Sequence, residues 1–194
     1  MLKVLAFRDG GLEATHSFRG ERKKQTLNIA TSELQCHPRD VEVVATGSVN
    51  GRVLMWNLEG SMLSKVTTFT GHAKAVSAVA WRPGAPSEFL SAALDGSIHL
   101  YDSRLPQVDP TWSTSRQRGA REVRWDPMRP EYFTAGFEDG LVQVFDMRVN
   151  AAVQQFSAHA DHILSMAWHP RWRGVLATGG RDRMIKVWDV ENLL

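Results

Sequence analysis

Four fifteen-residue windows, 43–57, 88–102, 132–146 and 175–189, repeat one arrangement of apolar and polar positions without a gap. Each opens on a run of apolar and small residues and breaks at a turn residue in the eighth place (Asn50, Asp95, Asp139, Asp182). Each then alternates up to an aromatic residue in the fourteenth place (Trp56, Tyr101, Phe145, Trp188). After the break, two places are apolar in every window: Val53 and Met55, Ile98 and Leu100, Val142 and Val144, Ile185 and Val187. The place between them holds Leu54, His99, Gln143 or Lys186. A period of two predicts strands with one tightly packed face and one that tolerates polarity. Asn50-Gly51 predicts a two-residue hairpin turn with both residues at positive φ, and Asp95-Gly96, Asp139-Gly140 and Asp182-Arg183 hold the same place.

Ahead of each window stands a short signature: Cys36-His37-Pro38, Trp81-Arg82-Pro83, Trp125-Asp126-Pro127 and Trp168-His169-Pro170. The proline precedes the late aromatic residue by 18 positions every time, and successive prolines lie 45, 44 and 43 residues apart. A period near 44 holding four strands is the unit of a β-propeller blade. Inner strands are predicted at 32–36, 76–81, 122–125 and 163–168, second strands at 43–46, 89–92, 132–135 and 175–178, and third strands at 52–56, 97–101, 141–145 and 184–188. Outer strands are predicted at 66–69, 111–114 and 152–157, with none for the fourth unit. The opening MLKVLAF aligns with MIKVWDV at 184–190, so 2–7 reads as the third strand of a partial blade and 13–18 as its outer strand. No helix of useful length is predicted.

Gly71-His72, Trp188-Asp189 and the degenerate pairs Trp56-Asn57, Tyr101-Asp102 and Phe145-Asp146 resemble the marks of the WD-repeat family. The resemblance implies an all-β WD-repeat propeller with four complete repeats and a partial blade, an open part of a larger ring. On that reading the chain divides into a partial blade at 1–20 and repeats at 21–65, 66–110, 111–151 and 152–194. The segments RGVLATGGRDRMIKVWDV, FTAGFEDGLVQVFDMR and FTGHAKAVSAVAWRP are also similar to the propeller of the RING-bearing WD-repeat subunits of the GATOR or SEA complex. That resemblance implies a non-enzymatic scaffold with protein partners, other propeller subunits among them. It places the chain in a family that activates TOR signalling in response to amino acids at the lysosomal or vacuolar membrane. A second reading comes from Tyr101-Asp102-Ser103-Arg104 and Phe145-Asp146-Met147-Arg148, which look like the aromatic-Asp-x-Arg box of substrate receptors of cullin-type ubiquitin ligases.

A formal net charge of +2 does not call for nucleic acid, although a pI near 8.9 leaves room for an acidic partner. The single cysteine, Cys36, excludes an intramolecular disulfide and favours a reducing, cytosol-facing compartment. Standing where the other repeats carry Trp, it is expected to be a small buried residue. No apolar run is long enough to span a bilayer, so direct membrane insertion is not expected.

The resemblance implies a hydrogen-bonded tetrad at His159, Thr178, Asp182 and Trp188, in which indole, hydroxyl, imidazole and carboxylate follow one another. A hydroxyl, an imidazole and a carboxylate also suggest a hydrolase triad, but an indole consumes the hydroxyl oxygen and no oxyanion-hole loop accompanies the set. The second repeat has His72, Ser91, Asp95 and Tyr101 at the same offsets. The third has Arg116, Ala135, Asp139 and Phe145, the first Leu27, Thr46, Asn50 and Trp56, and neither has the histidine. His159, His162 and His169 lack metal-site spacing, and Gly10-Gly11 and Gly179-Gly180 lack the lysine or helix that would hold phosphate, so no metal, cofactor or small-molecule substrate is expected. Five arginines between 115 and 129, and the basic run 19–24, read as solvated loops. Residues beside the turn (Val49, Leu94, Glu138, Arg181) and after the histidine (Lys74, Asp161, His162) are expected to share one rim, the candidate partner surface.

Overall fold

The structure is a computed structural model that describes residues 2–8, 11–18, 31–59, 62–105, 108–113, 118–149 and 151–192. Leu27, Arg116 and the basic run 19–24 lie outside these residues. Among the described residues seventeen strands form five antiparallel sheets in chain order. A hairpin of β1 (Leu2–Arg8) and β2 (Gly11–Phe18) comes first. Blade 1 is β3 (Thr31–Cys36), β4 (Val43–Ser48), β5 (Val53–Glu59) and β6 (Met62–Phe69). Blade 2 is β7 (Val76–Trp81), β8 (Glu88–Ala93), β9 (Ser97–Asp102) and β10 (Val108–Ser113). Blade 3 is β11 (Ala120–Trp125), β12 (Tyr132–Phe137), β13 (Leu141–Asp146) and β14 (Ala152–Ser157). Blade 4 is β15 (Ile163–Trp168), β16 (Val175–Gly180) and β17 (Ile185–Asp189), followed by a 3₁₀ turn at Val190–Asn192.

Alternation builds these strands, but the four hairpins differ from the two-residue form predicted. Only Gly51, Gly96, Gly140 and Arg183 sit at positive φ, while Asn50, Asp95, Asp139 and Asp182 do not. Gly51 N–H donates to the Ser48 carbonyl and Ser48 N–H to that of Arg52, and Gly96, Gly140 and Arg183 donate to Ala93, Phe137 and Gly180. This is a type I turn closed by a left-handed residue. The turn carboxylate or amide explains the preference, because Asn50, Asp95, Asp139 and Asp182 each accept the N–H two residues on.

The core lies between blades rather than inside any of them. One apolar cluster joins Val53, Met55 and Phe69 of blade 1 to Val76, Val79 and Phe89 of blade 2. A second joins Leu90 and Ile98 to Val123 and Phe133, and a third joins Val142 and Val144 to Ile163, Met166 and Leu176. Inner strands β3, β7, β11 and β15 touch in that order. The signature tryptophans stitch the same seams, as Trp81 and Trp125 donate their indole N–H to the carbonyls of Gln35 and Ala80 in the preceding blade.

Every inner strand also bulges at one place, leaving Ser32, Ser77, Arg121 and Leu164 as the extra residue. Ser32 uses the freedom to donate to the Val76 carbonyl, and Ser77 to that of Ala120, 2.5 Å away.

Two expectations are corrected. Cys36 is exposed rather than buried, since the inner strand of blade 1 faces no described blade on that side. The face predicted to be tightly packed is buried in blades 1 to 3, with Met55 6%, Ile98 1% and Val142 0% exposed, yet Ile185 and Val187 of blade 4 are 82% and 68% exposed. In blades 1 to 3 that face is covered by the next blade. The intervening face, expected to tolerate polarity, is also buried at Leu54 and His99.

Candidate functional site

Blade 4 places all four tetrad residues in one chain of hydrogen bonds. Trp188 Nε1–H donates to Thr178 Oγ1 at 2.9 Å, and Thr178 lies 2.8 Å from His159 Nε2. His159 Nδ1 stands 2.9 Å from Asp182, which as a carboxylate only accepts, so Nδ1 carries the proton and the Thr178 hydroxyl donates to Nε2. Asp182 also accepts the N–H groups of Ala160 and Met184, and these bonds outweigh burial and hold its pKa below the usual carboxylate range. Thr178 and His159 are buried. A hydroxyl that receives an indole proton and donates to imidazole, under such cover, is not placed to attack a substrate.

Blade 2 brings its four residues together differently. His72 Nε2 accepts from Ser91 at 2.6 Å, but Ser97 inserts between His72 and Asp95, 2.7 Å from Nδ1 and 2.6 Å from Asp95. Direct contact between His72 and Asp95 stretches to 3.6 Å. Tyr101, in the place of Trp188, leaves its hydroxyl buried without a normal hydrogen bond, and burial pushes its pKa up to about 12. Burial, together with His99 packed edge-on at 4.2 Å, pushes His72 down to about 4, so its imidazole is neutral at about pH 7. Ser97 was not foreseen, although a hydroxyl two places after the turn Asp was visible. Among the described residues blade 1 keeps only the indole-to-hydroxyl bond, Trp56 to Thr46, and blade 3 buries Ala135 there.

The predicted rim residues lie along one end of the strands. Leu94, Glu138 and Arg181 donate their N–H groups to the carbonyls of Ala75, Gly119 and His162, seating each turn on the loop that enters its own blade. Gly51 sits against the His72 and Lys74 carbonyls and Gly140 against those of His159 and Asp161, so the turn of one blade also touches the loop of the next. A Cβ at either glycine would meet that backbone. Arg121 crosses from blade 3, donating to Glu138 at 2.7 Å and standing 3.5 Å from His162, while Arg181 faces Asp161 at 3.9 Å.

Inside the rim a cleft of ≈ 380 Å³ is lined by Val49, Ala75, Val76, Leu94, Ile163 and Leu164, with Glu33, Arg121 and Glu122 among its polar groups. Burial pushes Glu122 up to about 7 against the pull of Arg124, 2.5 Å away, and burial also raises Glu33. No spacing rule in the sequence brings carboxylates of blades 1 and 3 toward one cleft.

At the opposite end, the residue after three of the four signature positions organises a turn. His37, Asp126 and His169 accept backbone N–H groups two and three residues on. The two aromatic-Asp-x-Arg boxes end here as closed pairs. Arg104 folds onto Asp102 and Arg148 onto Asp146, at 2.5 Å each, and Arg148 also reaches the Tyr132 hydroxyl. Those hydrogen bonds hold the Asp102 carboxyl below the usual range and the Asp146 carboxyl well below it. Among the described residues no helix is long and apolar enough to cross a membrane, and no three His, Cys, Asp or Glu side chains gather as metal ligands.

Comparison with known proteins matches this architecture. The WD domain, G-beta repeat family covers residues 63–102 and 150–189. The human GATOR2 complex protein WDR24 is 34% identical over 169 residues, spanning 87% of this chain and 21% of the relative. Its counterpart in Dictyostelium discoideum is 38% identical over 200 residues, spanning 99% of this chain and 19% of the relative. The human GATOR2 complex protein WDR59 is 27% identical over 168 residues, 85% of this chain and 17% of the relative. The chain thus spans about a fifth of the length of the curated relatives it matches. A chain in the crystal structure of the mitotic checkpoint complex shares the fold at TM-score 0.76 and 22% identity, over 94% of this chain and 52% of that one.

Proposed function

Because this chain is a WD-repeat propeller segment like those of GATOR2 subunits, we propose that it is a non-enzymatic scaffold in a GATOR2-type complex. The observation that carries the reading is identity of 32 to 38% with WDR24 proteins from several animals and an amoeba, over most of this chain. The complex acts in amino-acid sensing and the positive regulation of TOR signalling. Its partners are other propeller subunits, and it is cytoplasmic, held peripherally at the lysosomal or vacuolar membrane through those partners. No cofactor, nucleic acid or small-molecule substrate takes part. The His159 tetrad is a structural clasp that ties the incoming loop of blade 4 to its second and third strands, and the His72 set does the same in blade 2.

Affinity capture of the tagged chain from cytosol, read by mass spectrometry, tests this reading. Recovery of GATOR2-type propeller subunits is expected. Capture of a cullin adaptor in their place, lost when Arg104 and Arg148 are both replaced by Ala, would overturn it in favour of a ubiquitin-ligase receptor.

A further inference from the structure

The rim around the cleft sorts its charges by height. Its turn carboxylates are withdrawn: the side chains of Asp95, Asp139 and Asp182 are 15%, 17% and 14% exposed, because each is drawn down onto backbone N–H groups. The cations rise above them: Arg118 lies 3.8 Å from Asp139 and Arg181 3.9 Å from Asp161, yet their side chains stay 55% and 65% exposed, and Arg52, Lys74 and Arg183 are exposed beside them. Glu138 is held by Arg121, which leaves Asp161 as the most exposed described carboxylate on the rim, at 43%. This end therefore holds its cations outermost and its turn carboxylates lower down, and the turn chemistry is the cause.

Between the cations the mouth of the cleft is apolar. Val49 and Leu164 are 50% and 58% exposed, and Leu94 lines the cleft with them. Among the described residues no aromatic side chain lines it, so stacked bases find no platform. We propose that this rim binds an acidic protein segment, which seats one bulky apolar side chain among Val49, Leu94 and Leu164 and lays its carboxylates over Lys74, Arg118 and Arg181. The inference rests on the reading of the chain as a protein-binding scaffold and names the chemistry of one partner.

Fluorescence anisotropy on the full chain tests it with a labelled glutamate-rich peptide carrying a central leucine. Saturable binding is expected, weakening roughly tenfold from low to physiological salt. Replacing the leucine by serine, or Lys74→Glu with Arg181→Glu, should weaken it by about tenfold or more, while Arg171→Glu at the opposite end leaves it unchanged. A photo-crosslinker in place of the leucine should label Val49, Leu94 or Leu164 in the parent chain, which keeps the test independent of whether the double variant folds. Absence of saturable binding, labelling elsewhere, or equal binding of a single-stranded oligonucleotide of the same charge would overturn the proposal. The capture experiment separates the two ideas: retained propeller partners without peptide binding reject this surface alone, and peptide binding without those partners rejects the scaffold assignment alone.

Discussion

Removing the imidazole of His159 leaves the buried Thr178 hydroxyl without its acceptor and takes one donor from Asp182. His159→Ala should lower stability by roughly 1 to 3 kcal/mol in urea unfolding, and equal stability of variant and parent would rule out the clasp. Two other buried groups set opposite pH dependences. His72 titrates at about 4 in the fold against an ordinary 6.5, so the unfolded chain takes up its proton first. Its contribution is complete above about pH 6.5 and is lost as pH falls toward 4. Glu122 titrates at about 7 against an ordinary 4.5, so its contribution is complete below about pH 4.5 and is lost as pH rises through 7. Each is worth at most about 3 kcal/mol. His99, also lowered, sides with His72, and Glu33, also raised, sides with Glu122. The parent should therefore show a nearly level urea midpoint between these limits. Glu122→Gln should make the midpoint climb with pH and His72→Gln should make it fall; level profiles in both variants would refute the opposition.

At the scale of strands and turns, one glycine position reports whether a blade has a neighbour. A Cβ on Gly136 would stand 2.6 Å from Ile163 of blade 4, and one on Gly47 would stand 2.7 Å from Val76 of blade 2. At Gly179 of blade 4 a Cβ meets nothing within 4 Å. Gly136→Ala should cost about 1 to 3 kcal/mol, whereas Gly179→Ala should be neutral or stabilise by about 0.5 kcal/mol, both read from chemical unfolding. This contrast marks how far the sequence is legible. Alternation and an 18-residue offset locate the strands, because strand pairing and turns are local and repeat with the chain. Gly179 carries the same pattern as Gly136, so nothing local says that only one of them is covered. The bulges at Ser32 and Ser77 were equally hidden, since a bulge adds a residue without changing composition. The Ser97 insertion beside His72 needed three-dimensional distances, as did the approach of Glu33 and Glu122.

For the molecule as a whole, the apolar face left bare on blade 4 decides behaviour in solution. Ile185 and Val187 are more than half exposed on a sheet whose equivalents in the other blades are covered. Light scattering behind size-exclusion chromatography should give a mass above 21.7 kDa that rises with concentration, and Ile185→Lys with Val187→Lys should bring it down to the monomer. A monodisperse, cooperatively melting parent at 21.7 kDa would show that this face is covered within one chain.

Blade and sequence repeat are also out of step by one strand. The repeat matched at 63–102 begins in β6, the outer strand of blade 1, and runs on through β9 of blade 2. A gene segment cut at repeat boundaries therefore carries the strand that finishes its predecessor and waits for its successor to finish it. Duplication or loss of one such segment closes every internal sheet again, whatever the copy number. A cut at sheet boundaries would instead sever the loop that joins β6 to β7 and carries His72. Repeat number can thus drift during evolution with no unpaired edge created in the interior, and the selective burden of mismatched pairing falls only on the two ends of the array.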